Sequence, residues 1–267
     1  MRAIGERLGA GVPASGAQPY FWWQVGRGVL SGRVRPYWTE VLRQSYLLAV
    51  TTGSVLLVIG LAFGFGLVVG VESSYGARLV GAPSLAAVGT AVGNLRELTP
   101  YAFAYMMAAK VSTGFVAELG TMRITEEIDA LDVMGLDSLV YLGSTRLLAS
   151  WLILPFVYAI AVVASYVASF LVVVVQIGQV SAGGYFELFW KYQNATDYLF
   201  SGVKGMAMAT FVVLVGCYYG YTVRGGPVEV GHATARAMIV NLIGIHFIGI
   251  LTSQAFWGED AGLPVGG

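Results

Sequence analysis

Six carboxylates and a single arginine crowd the stretch from Glu118 to Asp137, in a chain that is 57% hydrophobic and only 11% charged. Its core reads ELGTMRITEEIDALDVMG and holds Glu118, Arg123, Glu126, Glu127, Asp129 and Asp132. On a helix starting at Arg123, the residues Ile124, Ile128 and Leu131 share one face as an apolar stripe, and the acids cover much of the rest. Thr125 is a candidate cap and Gly135 a natural stop. Two kinds of work suit such a helix. It can dock in a groove on a soluble partner, the stripe supplying energy and the charges selecting the partner. Or it can be a solvated connector whose acids keep it out of a bilayer.

A second group of charges lies inside apolar sequence. Arg96, Glu97 and Lys110 interrupt the run from Leu95 to Ala117. Ionisable groups are expensive in hydrocarbon and are functional candidates for that reason. Arg96 and Glu97 are adjacent, so on a helix they diverge and each needs its own partner, water or a headgroup, or snorkels to the interface. Lys110 is deeper, and an ion pair across a dimer seam or an acidic lipid headgroup would satisfy it. His246, in NLIGIHFIG, reads as a hydrogen-bonded helix residue, and neither histidine has metal-ligand spacing to a Cys, His or carboxylate. No metal is expected, and no Ser, His and carboxylate stand at a spacing that suggests an enzyme.

The elements that position these groups follow from hydropathy. A mean hydropathy of +0.72 is that of an integral membrane protein. The formal net charge of zero suggests no nucleic-acid partner, and the lone Cys217 rules out a disulfide framework. Five spans are expected: Leu47 to Val71, Leu95 to Ala117, a long tilted helix from Leu147 to about Val175, Gly205 to Val223, and Ala237 to Gly258. Arg2, Arg7, Arg27, Arg33, Arg35, Arg43, Arg123, Arg146, Arg224 and Arg236 fall on one side, which puts the N-terminus in the cytoplasm and the C-terminus outside. Residues 1–45, with YFWWQVGRGVLSGRVRPYW, form a cytoplasmic region with an interfacial amphipathic helix rather than a basic tail. Residues 46–260 form the membrane domain, with 118–137 on the cytoplasmic side. Residues 178–200, rich in aromatics, form an external segment at the outer surface.

AELGTMRITEEIDALDVMGLD resembles the coupling segment of the MlaE/YrbE permease family, the membrane subunits of Mce-type ABC lipid transporters. LRELTP at 95–100, TRLLAS at 145–150 and GGPVEVGHATARAMIV at 225–240 are similar to further anchors of that family, in order and at plausible spacing. The resemblance implies a non-catalytic permease subunit in a bacterial cytoplasmic (inner) membrane, paired with a second copy or a paralogue. It implies a cytoplasmic ABC ATPase that carries ATP-Mg, since this chain holds no G-x-x-x-x-G-K-[ST] loop and binds no cofactor itself. Glu118, Arg123, Glu126, Glu127 and Asp129 are then the ATPase-coupling residues. Glu126-Glu127 departs from the family's frequent Glu-Gln, which shifts the charge the partner must present. On that reading lipid is expected to pass between subunits along spans one, two and five, with Arg96, Glu97, Tyr105 and Lys110 as the substrate-path or intramembrane polar residues. Mce-domain lipid carriers meet the outer side. The alternative is a secondary transporter or channel that uses the intramembrane charges; an inverted repeat would favour it, and none is visible.

Overall fold

In the computed structural model, which describes residues 17–51 and 54–258, all regular structure is helical. Helix α1 (Ala17–Leu30) and helix α2 (Trp38–Tyr46) precede the first span, and residues 1–16, with Arg2 and Arg7, lie outside the described residues. Four helices are long and apolar enough to cross a membrane: Val55–Leu79, Val140–Gln176, Ala195–Tyr221 and Pro227–Trp257. The first, α3 (Ser54–Leu79), starts later than expected because Leu47–Thr51 forms a π turn. It also runs on through Glu72 to Arg78, whose Nε donates to Gln179 at 2.6 Å.

The expected second span is helical but segmented: α4 (Leu85–Gly93), a π turn (Asn94–Leu98), α5 (Thr99–Met106), a second π turn (Met107–Ser112) and α6 (Thr113–Ile124). This stretch is not among the four helices long and apolar enough to cross a membrane, and each of its π turns carries charge, Arg96 and Glu97 on the first and Lys110 on the second. Such single wide turns inside α-helices recur at functional sites. After the short α7 (Glu127–Val133) comes a span opened by a π turn (Val140–Ser144), continued by α8 (Thr145–Phe170) with Pro155 inside it, and closed by a further π turn (Leu171–Gln176).

The last two spans begin earlier than hydropathy alone suggests. Helix α10 (Ala195–Tyr221) starts where the Asn194 side chain accepts from the Thr196 N–H at 3.1 Å. Its Asp197 and Lys204 do not end it, because both find partners. Helix α11 (Pro227–Trp257) opens with proline just after Gly225 and Gly226, the usual proline-first start of a helix. Arg236 therefore sits on a helix, not in a loop.

The chain divides into two units. The first comprises residues up to Ser54, Met107–Leu154 and Ala209–Ile243. Within it α1 is anchored by Phe21 and Val25, and the Ser144 hydroxyl donates to the Val25 carbonyl at 2.8 Å. Trp23 on α1 and Trp38 on α2 are exposed, whereas Trp22 turns inward against the Phe211 ring. Gly216 and Gly220 let α10 approach α6: a Cβ added at Gly220 would lie 2.8 Å from Leu119 Cβ and 2.9 Å from the Phe115 carbonyl oxygen. Gly220→Ala should cost about 1–3 kcal/mol in stability, read as a lower unfolding temperature in detergent. Gly60→Ala, where nothing lies within 4 Å, should leave it unchanged.

The second unit comprises Val55–Met106, Pro155–Met208 and the residues from Gly244. Gly66 and Gly70 repeat the small-residue spacing there, facing Ser165 and Val172. Helix α9 (Ala182–Lys191) in the expected external segment is amphipathic: Tyr185 and Phe189 pack on Ala86, Ala87 and Ala91, while Phe186 and Trp190 are exposed.

Candidate functional site

In the first unit the acidic segment is a bent helical tip. Helix α6 ends at Ile124, and Glu126 adopts a left-handed backbone (φ 62°) that turns the chain before α7 begins. Thr125 does not cap α7; its hydroxyl lies 3.0 Å from the Thr121 carbonyl and 2.9 Å from Glu127 Oε1. Gly135 (φ 80°) closes the turn that follows α7. A residue with a Cβ is strained at Glu126, so Glu126→Gly should raise stability by about 1 kcal/mol, seen as a higher unfolding temperature.

The apolar stripe faces inward. Ile128 is fully buried and Ile124 packs against the cluster of Val116 and Val215. It holds the tip to its own chain and is not offered to a partner. Most of the acids are also engaged. Arg123 binds Asp129 at 2.8 Å, its guanidinium 5.8 Å from the Tyr221 ring centroid. Asp132 accepts from the Ser138 N–H, and Asp137 accepts from the Val140 N–H and pairs with Arg33. What remains outward is Glu126 and Glu127 at the start of α7, with Val133 and Met134, about two-thirds exposed, at its end. Glu118 lies back on α6 and is tied elsewhere. Its carboxylate pairs at 2.8 Å with Arg146, whose side chain is 1% exposed, donates to the Leu142 carbonyl and lies 5.5 Å from the Phe115 ring centroid. Arg146, which the sequence places only among the cytoplasmic-side arginines, is thus the buried anchor of Glu118.

In the second unit the adjacent Arg96 and Glu97 have crossed partners on α10. Arg96 pairs with Asp197 at 2.8 Å, with 13% and 11% of the two side chains exposed. Glu97 pairs at 2.7 Å with Lys204, whose side chain is fully buried. Helix α11 closes the network. Ser253 donates to Glu97 at 2.6 Å, Trp257 Nε1–H donates to Asp197 at 2.8 Å, and Lys204 donates to the Arg96 carbonyl and to Ser253. The Tyr101 ring lies 5.1 Å from the Lys204 ammonium. Such crossed pairing lets the charges reside in an apolar setting, since each desolvated ion meets an opposite one and further hydrogen bonds.

Asp197 and Lys204 are the partners that sequence reasoning does not single out: Asp197 falls in the expected external segment and Lys204 just ahead of the expected fourth span. The available signal was their spacing. At i and i+7 on α10 they share a face, with signs opposite to Arg96 and Glu97. Tyr105 lies in the same unit, its hydroxyl 3.0 Å from His246 Nε2 on an exposed part of α11, near the rings of Phe65 and Tyr101. Lys110 in the first unit is exposed, and no ion pair to it is formed among the described residues.

The profile of the family described as Permease MlaE matches residues 42–255. The chain belongs to the MlaE permease family. Membership makes it an ABC transporter permease subunit, a multi-pass membrane component of a transport system. A probable ABC transporter permease protein of Rickettsia bellii is 28% identical over 84% of this chain and 86% of its own length. The chloroplastic protein TRIGALACTOSYLDIACYLGLYCEROL 1 of Arabidopsis thaliana is 30% identical over 62% of this chain; the aligned region spans 47% of that relative. The probable permease slr1045 of Synechocystis is 29% identical over 56% of this chain and 57% of its own. Glu118 and Arg146 of the first unit and Arg96, Glu97, Asp197 and Lys204 of the second all fall within the matched residues.

Proposed function

We propose that this permease is the membrane subunit of an ATP-driven lipid transporter. Two copies, or one copy with a paralogue, form the core in a bacterial cytoplasmic membrane, with the N-terminus inside. A cytoplasmic ATPase carrying ATP-Mg docks on the tip formed by the end of α6 and α7, and Mce-domain carriers meet the external segment. Arg96, Glu97, Tyr105 and Lys110 lie along the lipid path. The lipid named in the Arabidopsis relative agrees with such a cargo. The observation that carries the docking reading is the tip itself: its stripe and four of its acids are used internally, yet Glu126, Glu127, Val133 and Met134 stay outward. Acids that select and apolar side chains that supply energy are what a partner groove requires.

Glu126→Lys combined with Glu127→Lys should abolish stimulation of the ATPase by the reconstituted transporter while leaving membrane insertion and unfolding temperature unchanged. Full coupled activity in that variant would refute docking at the tip. Lipid flux without nucleotide would instead point to a secondary transporter. That alternative is weakened by the crossed pairing, because Arg96 and Glu97 are both neutralised.

A further inference from the structure

An open cleft of about 360 Å³ lies in the first unit, lined on one side by Gln18 of α1 and on the other by Tyr218, Tyr219 and Thr222 at the end of α10. Arg224, Glu229 and Arg236 complete it. Neither the coupling tip nor the charged network of the second unit uses these residues. The volume sits at the small end of the roughly 300–1,000 Å³ typical of small-molecule sites.

The chemistry of the lining favours an anion with several oxygens. Arg224 is exposed and forms no ion pair among the described residues. Arg236 meets Glu229 only loosely, at 3.5 Å, with 62% and 45% of the two side chains exposed. Two guanidinium groups against one carboxylate leave a net positive cleft. Planar guanidinium groups match phosphate oxygens with paired N–H donors. Gln18 donates to the Tyr219 hydroxyl at 3.2 Å, which leaves that hydroxyl hydrogen to bind a further acceptor.

The surroundings identify the source of the phosphate. On α11, Ile239 and Ile243 follow Arg236 at i+3 and i+7, on the same helix face, and both are largely exposed. On α1, Trp23 and Leu30 are exposed. A headgroup held by Arg236 would therefore have its acyl chains laid along apolar side chains of the same helix. We propose that the cleft between α1 and the α10–α11 turn binds the phosphate of a phospholipid headgroup, fastening the interfacial helix to a lipid.

The full-length chain in mild detergent is titrated with phosphatidylglycerol and, separately, with inorganic phosphate, and bound ligand is counted by native mass spectrometry. The expected result is one tight phosphatidylglycerol per chain, bound about tenfold more weakly by Arg224→Gln/Arg236→Gln. Glu229→Gln, which removes the competing carboxylate, should bind more tightly than the unaltered chain; a merely misfolded variant would not gain affinity. Arg78→Gln, in the other unit, should leave binding unchanged. Equal lipid affinity in the unaltered chain and the double variant overturns the site. Displacement of the lipid by millimolar inorganic phosphate overturns the lipid assignment and makes soluble phosphate the ligand.

Discussion

Asp197→Ala is expected to be the most damaging single substitution in the second unit. Both side chains of the Arg96–Asp197 pair are nearly buried, and the same carboxylate accepts the Trp257 indole N–H. Its loss removes the neutralising charge from Arg96 and strands a second donor. Breaking a buried pair on one side costs about 3–5 kcal/mol, because the remaining charge stays desolvated. Thermal unfolding in detergent should show it as a fall of roughly 10 °C or more. The double variant Arg96→Met/Asp197→Ala should recover most of that loss, since an apolar pair carries no desolvation penalty. If Asp197→Ala unfolds at the unaltered temperature, the crossed network does not hold the helices. Transport should fall further than stability alone explains if Arg96 borders the lipid path, which the double variant tests at restored stability.

Glu118→Ala should be the most damaging change in the first unit, for a reason that runs against intuition. Glu118 is the more exposed partner, at 43%, and Arg146 the buried one, at 1%. Deleting the exposed acid leaves a buried guanidinium without its counter-ion, and the Arg146 Nε already lacks a hydrogen-bond partner. A loss of about 2–4 kcal/mol is expected, below the fully buried figure because water reaches one side of the pair. Arg146→Met should be milder, since Glu118 can then hydrate. Combining the two should restore most of the stability, measured by thermal unfolding. The opposite ranking would mean that Arg146 is held by its Leu142 and Phe115 contacts and not by Glu118. Lost ATPase coupling in Glu118→Ala is therefore no proof of a docking contact, whereas Glu126 and Glu127 give a clean test.

Four of the five expected spans correspond to helices long and apolar enough to cross a membrane, because twenty or so apolar residues have nowhere else to go, and the charged stretch 95–117 does not. What hydropathy misplaced were the ends. Asp197 and Lys204 look like a boundary on a hydropathy scale, yet α10 runs through both since their charges are neutralised across the helix interface. Likewise the stripe of Ile124, Ile128 and Leu131 was legible from its spacing, but period alone cannot say whether a stripe meets a partner or its own core. The burial of Ile128 decides that.

The family, the helical class and the acidic tip were determined by the sequence itself, since each rests on local composition, helical period or a short run of residue types. Which charge meets which was decided only by tertiary structure. Arg96 meets Asp197 across 101 positions and Lys204 meets Glu97 across 107. No local rule sets such pairs. They follow from which helix faces tertiary packing brings together, here the wide turn at 94–98 against α10.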